Sequence, residues 1–554
     1  VATDRVGSSH LSFPLVGTFH RARARCTMGQ FCSRRSSRAH EPLVATDRVV
    51  GRGSLPVSCR YTTARPLESD YSISSQILGE GMGGPVRLAV GRADGQKYAV
   101  KSFKKRGMSE GTLQELRNEV ELYLSLDHPH VARLEMVYET AEHLHLVMEY
   151  MAGGELYDRL KASKQYTEEA AAEAAHQMLL AVAYLHAHGI AHRDLKLENF
   201  LYVSKDSSHL KIIDFGFAKF VEPDAKMTQS CGSLSYVAPE VLAHAYTEKA
   251  DMWSFGVIVY MMLVGSAPFA GDDDEVLKSI QRGSIKFSSR YHKLSCRAKE
   301  FMQALFLLDP DKRLSAQEAL EHQWIKRNHR TEDVPMDRST LESLLRFAHS
   351  SQFRRSMLST MTWSLSTEDR EMLRKQFLAL DKDKSGTIEL GELTKALYSS
   401  FKIDGVEAQE LFKSLDTDNN NEIEYTEFTA AALLGHAEVH SPLVHKTFVR
   451  FDRDGDGQLD FEELKRVLGD TCSESEVGEL LREADTSGDG KLSYDEFLSY
   501  FHKSSALVRR SPGATSTCCS KSMRESAQAM LVPRARRGRL PTLLNLRAGF
   551  TSTG

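Results

Sequence analysis

Four twelve-residue acidic loops constrain this chain more than any other feature. They begin at Asp381, Asp416, Asp452 and Asp485, spaced by 35, 36 and 33 residues, and end at Glu392, Glu427, Glu463 and Glu496. A period of that size means one supersecondary unit copied in tandem, each copy too small to bury its apolar face alone. A hard divalent cation such as Ca²⁺ takes about six to eight oxygen ligands, and such a loop offers them at alternate positions and at its final Glu. The first loop supplies Asp381, Asp383, Ser385, Thr387 and Glu392, with Glu389 at the position that often works through water. The second supplies Asp416, Asp418, Asn420, Glu422 and Glu427. The third, the most acidic, supplies Asp452, Asp454, Asp456, Gln458 and Glu463, with Asp460 between. The fourth supplies Asp485, Ser487, Asp489, Lys491 and Glu496.

The sixth position must turn sharply with positive φ, and Gly386, Gly457 and Gly490 stand there; the second loop has Asn421, which tolerates that conformation better than most residues. Apolar Ile388, Ile423, Leu459 and Leu492 share the eighth position. The loops resemble EF-hands, and four in tandem resemble calmodulin. Ser487 and Ser493 stand in the fourth loop where carboxylates would serve, so the third loop is expected to bind Ca²⁺ more tightly than the fourth.

Upstream lies a second constellation. Gly79-Glu80-Gly81-Met82-Gly83-Gly84-Pro85-Val86 forms a Gly-rich stretch whose backbone can approach phosphates. Lys101 follows in the strand-like run Tyr98–Lys101, and Glu119 sits on a helical stretch, Leu113–Leu126, from which it can pair with that Lys. Then come His192-Arg193-Asp194-Leu195-Lys196-Leu197-Glu198-Asn199, Asp214-Phe215-Gly216 and Ala238-Pro239-Glu240. This ordered set resembles the eukaryotic protein kinases. A kinase followed by four EF-hands resembles the calcium-dependent protein kinases of plants and apicomplexan parasites, over about residues 71–502.

The resemblance implies a multidomain α+β architecture, a bilobal protein kinase fold followed by an all-α EF-hand domain. Tails are expected at 1–70 and 503–554, the kinase domain at 71–325, an autoinhibitory junction helix at 326–366 and the EF-hands at 367–502. It also implies site roles. Asp194 accepts the proton of the substrate hydroxyl, Lys196 neutralises the transferring phosphoryl group, and Lys101 and Glu119 form the pair that holds the nucleotide phosphates. Gly79, Gly81, Gly84, Val86, Lys101, Met148, Glu149 and Glu155 make up the ATP-binding set, with Met148 as gatekeeper, and Asn199 and Asp214 hold Mg²⁺. Lys196 after the catalytic Asp implies transfer to Ser or Thr. Ser233-Leu234 stands where many such kinases carry Thr-Pro, and Ser233 keeps a hydroxyl to bond near Asp194. Glu155 and Glu198 fall where basophilic kinases meet a substrate Arg upstream of the phosphoacceptor.

Between the halves, Leu341, Leu344, Leu345 and Ala348 recur at helical spacing, as do Met357, Met361 and Leu365, with Phe353 and Trp363 nearby. Arg346, Arg354 and Arg355 add a basic face. An opened EF-hand groove receives helices of this kind. The segment is expected to block the substrate groove without Ca²⁺ and to be captured by the EF-hands with it; the plainer alternative is a helix packed on the kinase. A calcium sensor or scaffold on an inactive kinase fold is the rival function.

A formal charge of −4 points to no nucleic acid partner, but it conceals asymmetry. Residues 1–66 carry 11 Arg against 3 acids, 504–554 carry 9 basic residues against 1 acid, and 364–503 hold 31 acids against 16 basic residues. The eight Cys form no C-x-x-C pair, which suits a reducing, cytoplasmic compartment. Met28-Gly29-Gln30-Phe31-Cys32-Ser33 matches an N-myristoylation pattern. If Met28 is the start, Gly29 and Cys32 carry two acyl chains and Arg34-Arg35 meets anionic lipid at a membrane surface. The alternative is chance, since an internal Gly is not myristoylated, and the Val-Ala-Thr-Asp-Arg-Val repeat at 1–6 and 44–49 has the look of a gene-assembly artefact.

Overall fold

The computed structural model describes residues 43, 60–81, 84–221, 226–229, 231–285, 287–328, 336–363, 365, 367–436, 441–468 and 473–507. The expected acylation sites Gly29 and Cys32, the start at Met28 and the C-terminal tail beyond 507 lie outside these residues. Among the described residues no helix is long and apolar enough to cross a membrane.

A six-stranded sheet opens the fold: β1 (Tyr61–Thr62), β2 (Tyr71–Gly81), β3 (Gly84–Gly91), β4 (Lys97–Lys104), β5 (Leu134–Glu139) and β6 (His143–Glu149), in the order β1-β5-β6-β4-β3-β2. All neighbours are antiparallel except β1, which adds parallel to β5. This corrects the end of the expected tail at 1–70, over residues 60–70. Residues 60–62 extend the sheet and Leu67–Ser69 form a short turn of helix, because an edge strand offers unpaired backbone groups to any nearby extended segment. Helix α1 (Glu110–Leu124) packs on the sheet and is capped by Ser109, whose side chain accepts from the Thr112 N–H.

The second lobe is helical. Helices α2 (Leu156–Ser163) and α3 (Glu168–Ala187) lead into it, and α3 is apolar nearly all round, with Ala171 to Leu185 almost wholly buried. The helix Lys249–Val264 is likewise enclosed, as the apolar run Val257–Val264 leads one to expect. Within it, buried Asp251 is the exception that does structural work: it accepts from the backbone N–H groups of His192 and Arg193 at 2.9 and 2.8 Å and bonds His186.

A separate core unites the junction with the EF-hands. The junction is not one helix. Arg338–Ala348 and Gln352–Thr362 are distinct, because the chain stops at His349 and Ser351 recaps it by accepting from the Arg354 N–H. Leu341, Leu344, Phe347, Phe353, Met357 and Met361 are all buried in this core. The expected basic face is not free either. Arg354 lies over Phe501, and Arg355 donates to the carbonyls of Ala348 and Ser414.

Phe353 meets Phe451, Phe497 and Tyr500 at 6.4, 5.9 and 5.7 Å between ring centroids, joining the junction to the third and fourth EF-hands. Phe353→Ala is expected to destabilise this core by about 3–5 kcal/mol. Calorimetry of the Ca²⁺-loaded chain checks it: the transition of the second core should fall while that of the kinase core stays.

Candidate active site and calcium-binding loops

Lys101 projects from β4, whose alternation places it opposite Val86 and Leu146 in the sheet ladder. Its ammonium lies 2.8 Å from Glu119 on α1 and 3.1 Å from Asp214. Burial alone would lower the Lys101 pKa, but the two carboxylates outweigh it and hold it above its ordinary value. Burial raises Glu119, Lys101 offsets this in part, and the neighbouring Asp214 carboxylate adds to the rise. Asp214 is held below the usual carboxylate range, its burial overcome by Lys101.

The Gly-rich stretch is the end of the β2–β3 hairpin, with Gly79 opposite Val86 and Gly81 opposite Gly84; Met82 and Gly83 lie outside the described residues. A Cβ on Gly79 would meet nothing within 4 Å, so glycine there is not required by packing and leaves open space beside the backbone. Met148 packs partly buried against the core. Glu149 corrects the expected nucleotide set. The strand alternation turns its carboxylate to the rear of the hinge, where it accepts from Lys211 Nζ at 2.6 Å and from the Arg133 N–H at 2.7 Å. Despite burial, Lys211, Arg133 and Arg370 pull it down to about 2. Only its main chain is left for a nucleotide.

Asp194 is buried and heavily directed. Lys196 donates to it at 2.6 Å, and the backbone N–H and hydroxyl of Ser233 both donate at 3.0 Å. Ser233 thus does the job expected of a Thr at this position. Asn199 Nδ2 donates to the Asp194 carbonyl at 2.9 Å, which leaves the amide oxygen as its acceptor. Gly232 has φ +99, and a Cβ there would sit 2.7 Å from the Arg193 carbonyl, so only Gly lets Ser233 reach Asp194. Asp251, which holds the backbone of His192 and Arg193, was missed in the sequence; its signal is a lone acid at the head of a wholly apolar helix.

Glu155 precedes α2 and is half-buried. Burial first, then Asp158 and Glu198, push its carboxyl up to about 7. One oxygen of Glu198, Oε2, is buried with no hydrogen-bond partner among the described residues. The two neighbouring acids, Glu155 and Glu198, suit a cation arriving from outside.

The four loops form two pairs. Ile388 and Ile423 exchange N–H···O bonds at 2.9 Å, and Leu459 pairs with Leu492. Asn421 takes φ 66, the left-handed turn that Gly makes in the other loops. Ligand oxygens of Asp381, Asp383 and Glu392 lie within 4.8 Å of one another, as do those of Asp416, Asp418 and Glu427, and of Asp452, Asp454 and Glu463. Burial and the neighbouring acids push Asp381 and Glu427 each up to about 8. Such crowding of buried carboxylates fits a divalent cation. Among the described residues the fourth loop forms no such group: Ser487 stands at the third position, and Glu496 is held near 2 by Ser493 and the N–H groups around it. Lys491, at the fourth loop's seventh position, instead reaches Asp456 of the third at 2.6 Å.

Three loops also touch the kinase domain or the segment just before it. The Thr426 N–H, at the start of helix Tyr425–His436, donates to buried Asp127 at 2.7 Å. Arg65 donates to the Asp452 carbonyl at 2.9 Å, and Gln317 to the Lys384 carbonyl at 3.2 Å.

The protein kinase domain family matches residues 72–325, and the EF-hand domain pair matches 370–433 and 444–502. The chain is 35% identical over 450 residues to calcium-dependent protein kinase 17 of Arabidopsis thaliana, covering 79% of this chain and 85% of that one. It is 36% identical over 430 residues to calcium-dependent protein kinase 9 of Oryza sativa subsp. japonica, covering 76% and 75%. Against calcium-dependent protein kinase 2 of Zea mays it is 34% identical over 442 residues, covering 78% and 85%. With a paired Lys101–Glu119, a directed Asp194 and EF-hand loops in one chain, this protein belongs to the calcium-dependent protein kinase family.

Proposed function

We propose that this chain moves the γ-phosphate of ATP to Ser or Thr hydroxyls preceded by Arg, and that its own EF-hands rather than a separate calmodulin switch it on. The observation that carries the reading is the coexistence of two arrangements. Lys101 is paired with Glu119 and Asp214, and the junction is enclosed by the EF-hand core.

Phosphoryl transfer needs alignment and charge neutralisation more than covalent chemistry. Lys101, fixed by Glu119, holds the nucleotide phosphates. Asp194, fixed by Ser233 and Lys196, orients the substrate hydroxyl and takes its proton as that oxygen bonds to the γ-phosphorus and the bond from phosphorus to the bridging oxygen breaks, ADP leaving with that electron pair. Lys196 neutralises the transferring group. Asn199 and Asp214 would hold Mg²⁺, which would supply charge neutralisation at the phosphates. Glu155 and Glu198 receive the substrate Arg.

The regulatory half rests on differential affinity. The junction's apolar residues are satisfied by the EF-hands here; without Ca²⁺ the closed EF-hands lose that groove, and the junction turns to the kinase and blocks it. The protein acts in the cytoplasm, and at a membrane surface if Gly29 and Cys32 are acylated.

An assay of an Arg-containing Ser peptide should show activity in Ca²⁺ without added calmodulin, none in chelator, and none in Asp194→Asn under either condition. A chain ending at Ile325 should be active in chelator; equal inactivity there would remove the inhibitory role. Because burial, with Asp158 and Glu198, pushes the Glu155 carboxyl up to about 7, its attraction for a substrate Arg should strengthen as the pH rises through neutrality. KM for the Arg peptide should fall about threefold or more between about pH 6 and pH 8. An Ala-substituted peptide, or Glu155→Gln, should lack that trend. In site-resolved Ca²⁺ titration the third loop should fill before the fourth.

A further inference from the structure

Where the EF-hands meet the rear of the hinge, an open cleft is lined from both sides. The kinase contributes His128, Arg133, Glu149, His209 and Lys211; the helix Thr367–Leu380 contributes Arg370 and Arg374, and Tyr425 closes one wall. The charges do not balance. Among the lining residues Arg133, Lys211, Arg370 and Arg374 bring four positive charges against Glu149 and Glu371, and exposed Glu371 also pairs with Lys375 at 3.3 Å. Of the acids beyond the lining, Glu135 acts on Arg133 and Arg370, and Glu173 on Arg374.

Glu149 is shared by three of these cations. Lys211 lies at 2.6 Å, and Arg133 and Arg370 each at 4.0 Å. Arg133 has a second carboxylate, Glu135, but that one also serves Arg450 at 2.6 Å. The Nε atoms of Arg133, Arg370 and Arg374, and Nε2 of His128, are buried with no hydrogen-bond partner among the described residues. Buried guanidinium groups without full satisfaction are costly, and a planar fork of donors is matched to oxyanions.

We propose that this cleft is a site for a doubly charged oxyanion of the phosphate or sulfate type, which bridges the kinase to the EF-hand module. The surroundings show the same need. Burial first pulls Lys211 down to about 8 and Arg370 down to about 10, with neighbouring Arg residues adding to it. Burial also holds His128 near 3, so it is neutral and takes no part in the charge count.

Because the lining comes from both modules, the anion binds only when they are docked. It therefore stabilises the docked arrangement by mass action and, by reciprocity, raises the apparent Ca²⁺ affinity. The site stands apart from catalysis, so melting temperature and Trp fluorescence test it without touching the kinase reading.

The experiment uses the full chain with Ca²⁺ and compares sodium sulfate with sodium chloride at matched ionic strength. In the wild type, sulfate at about 10 mM should raise the melting temperature by about 2–4 °C beyond chloride. It should also lower the Ca²⁺ concentration at half-change of fluorescence by about twofold. Arg374→Gln should lose both sulfate-specific effects. Arg374→Glu should melt higher than Arg374→Gln in chloride alone, since it places a carboxylate among the cations, and Arg374→Lys should keep part of the sulfate response. A parallel arm pretreats the chain with phosphatase. A response in both arms identifies free oxyanion as the source, and one seen only after treatment identifies a phosphate carried by the chain itself. Equal effects of sulfate and chloride in both arms, or a sulfate response undiminished in Arg374→Gln, overturn the proposal.

Discussion

The junction's apolar side chains must be buried somewhere, and the rest of the structure follows from where they go. Fully burying a large apolar side chain is worth about 1.5–3 kcal/mol, so Leu341, Leu344, Phe347, Phe353, Met357 and Met361 together outweigh any single surface contact. Here they are enclosed by EF-hand helices rather than by the kinase. That choice pulls the chain at its far end: Trp363 is drawn against Arg60, Arg133 and Arg450, whose guanidinium carbons lie 4.8, 5.2 and 6.0 Å from its ring. The three arginines come from the segment before the kinase domain, from the residue just before β5, and from the third EF-hand. Each such contact contributes about 0.5–2 kcal/mol, and one indole ring ties three parts of the chain together.

From that anchor the EF-hands lie against the kinase with the calcium loops themselves at the contact. Asp127 caps the helix that carries Glu427, and Arg65 holds the carbonyl of Asp452. In the first loop, Gly386 has φ +88, and a Cβ there would come 2.5 Å from the Tyr184 ring, so the turn glycine also permits close approach to the kinase. Ion occupancy and docking therefore involve the same loops. Whatever orders a loop also sets the surface that meets the kinase, and by reciprocity docking favours the ordered loop.

Much of this was legible in the sequence, because its signals are local. A twelve-residue loop with a terminal Glu carries its ligand positions in its own spacing, and Asn421 at φ 66 shows how far a substituted turn residue can be trusted. The Lys101–Glu119 pair and the Ser233–Asp194 bond were also readable, since the strand, helix and loop that carry them were recognisable from their motifs. Other features were not. Whether the carboxylate of Glu149 faces the cleft or its rear depends on which sheet face the hinge presents to Lys211. The break at His349–Ser351 hides inside a helical periodicity, and the strand at Tyr61–Thr62 exists only because β5 offers it an edge.

By itself, then, the sequence set the chemistry to expect: which groups would handle phosphate, which EF-hand loops would take a divalent cation, and that an amphipathic basic segment lies between them. These follow from residue type and spacing along a few turns of chain. Only the tertiary structure decided where that segment is buried, that the calcium loops rest on the kinase, and that four cations converge at the seam with too few carboxylates. Those outcomes depend on burial and Coulomb interactions between residues hundreds of positions apart, such as Asp127 with Thr426 or Arg65 with Asp452. No local pattern encodes them.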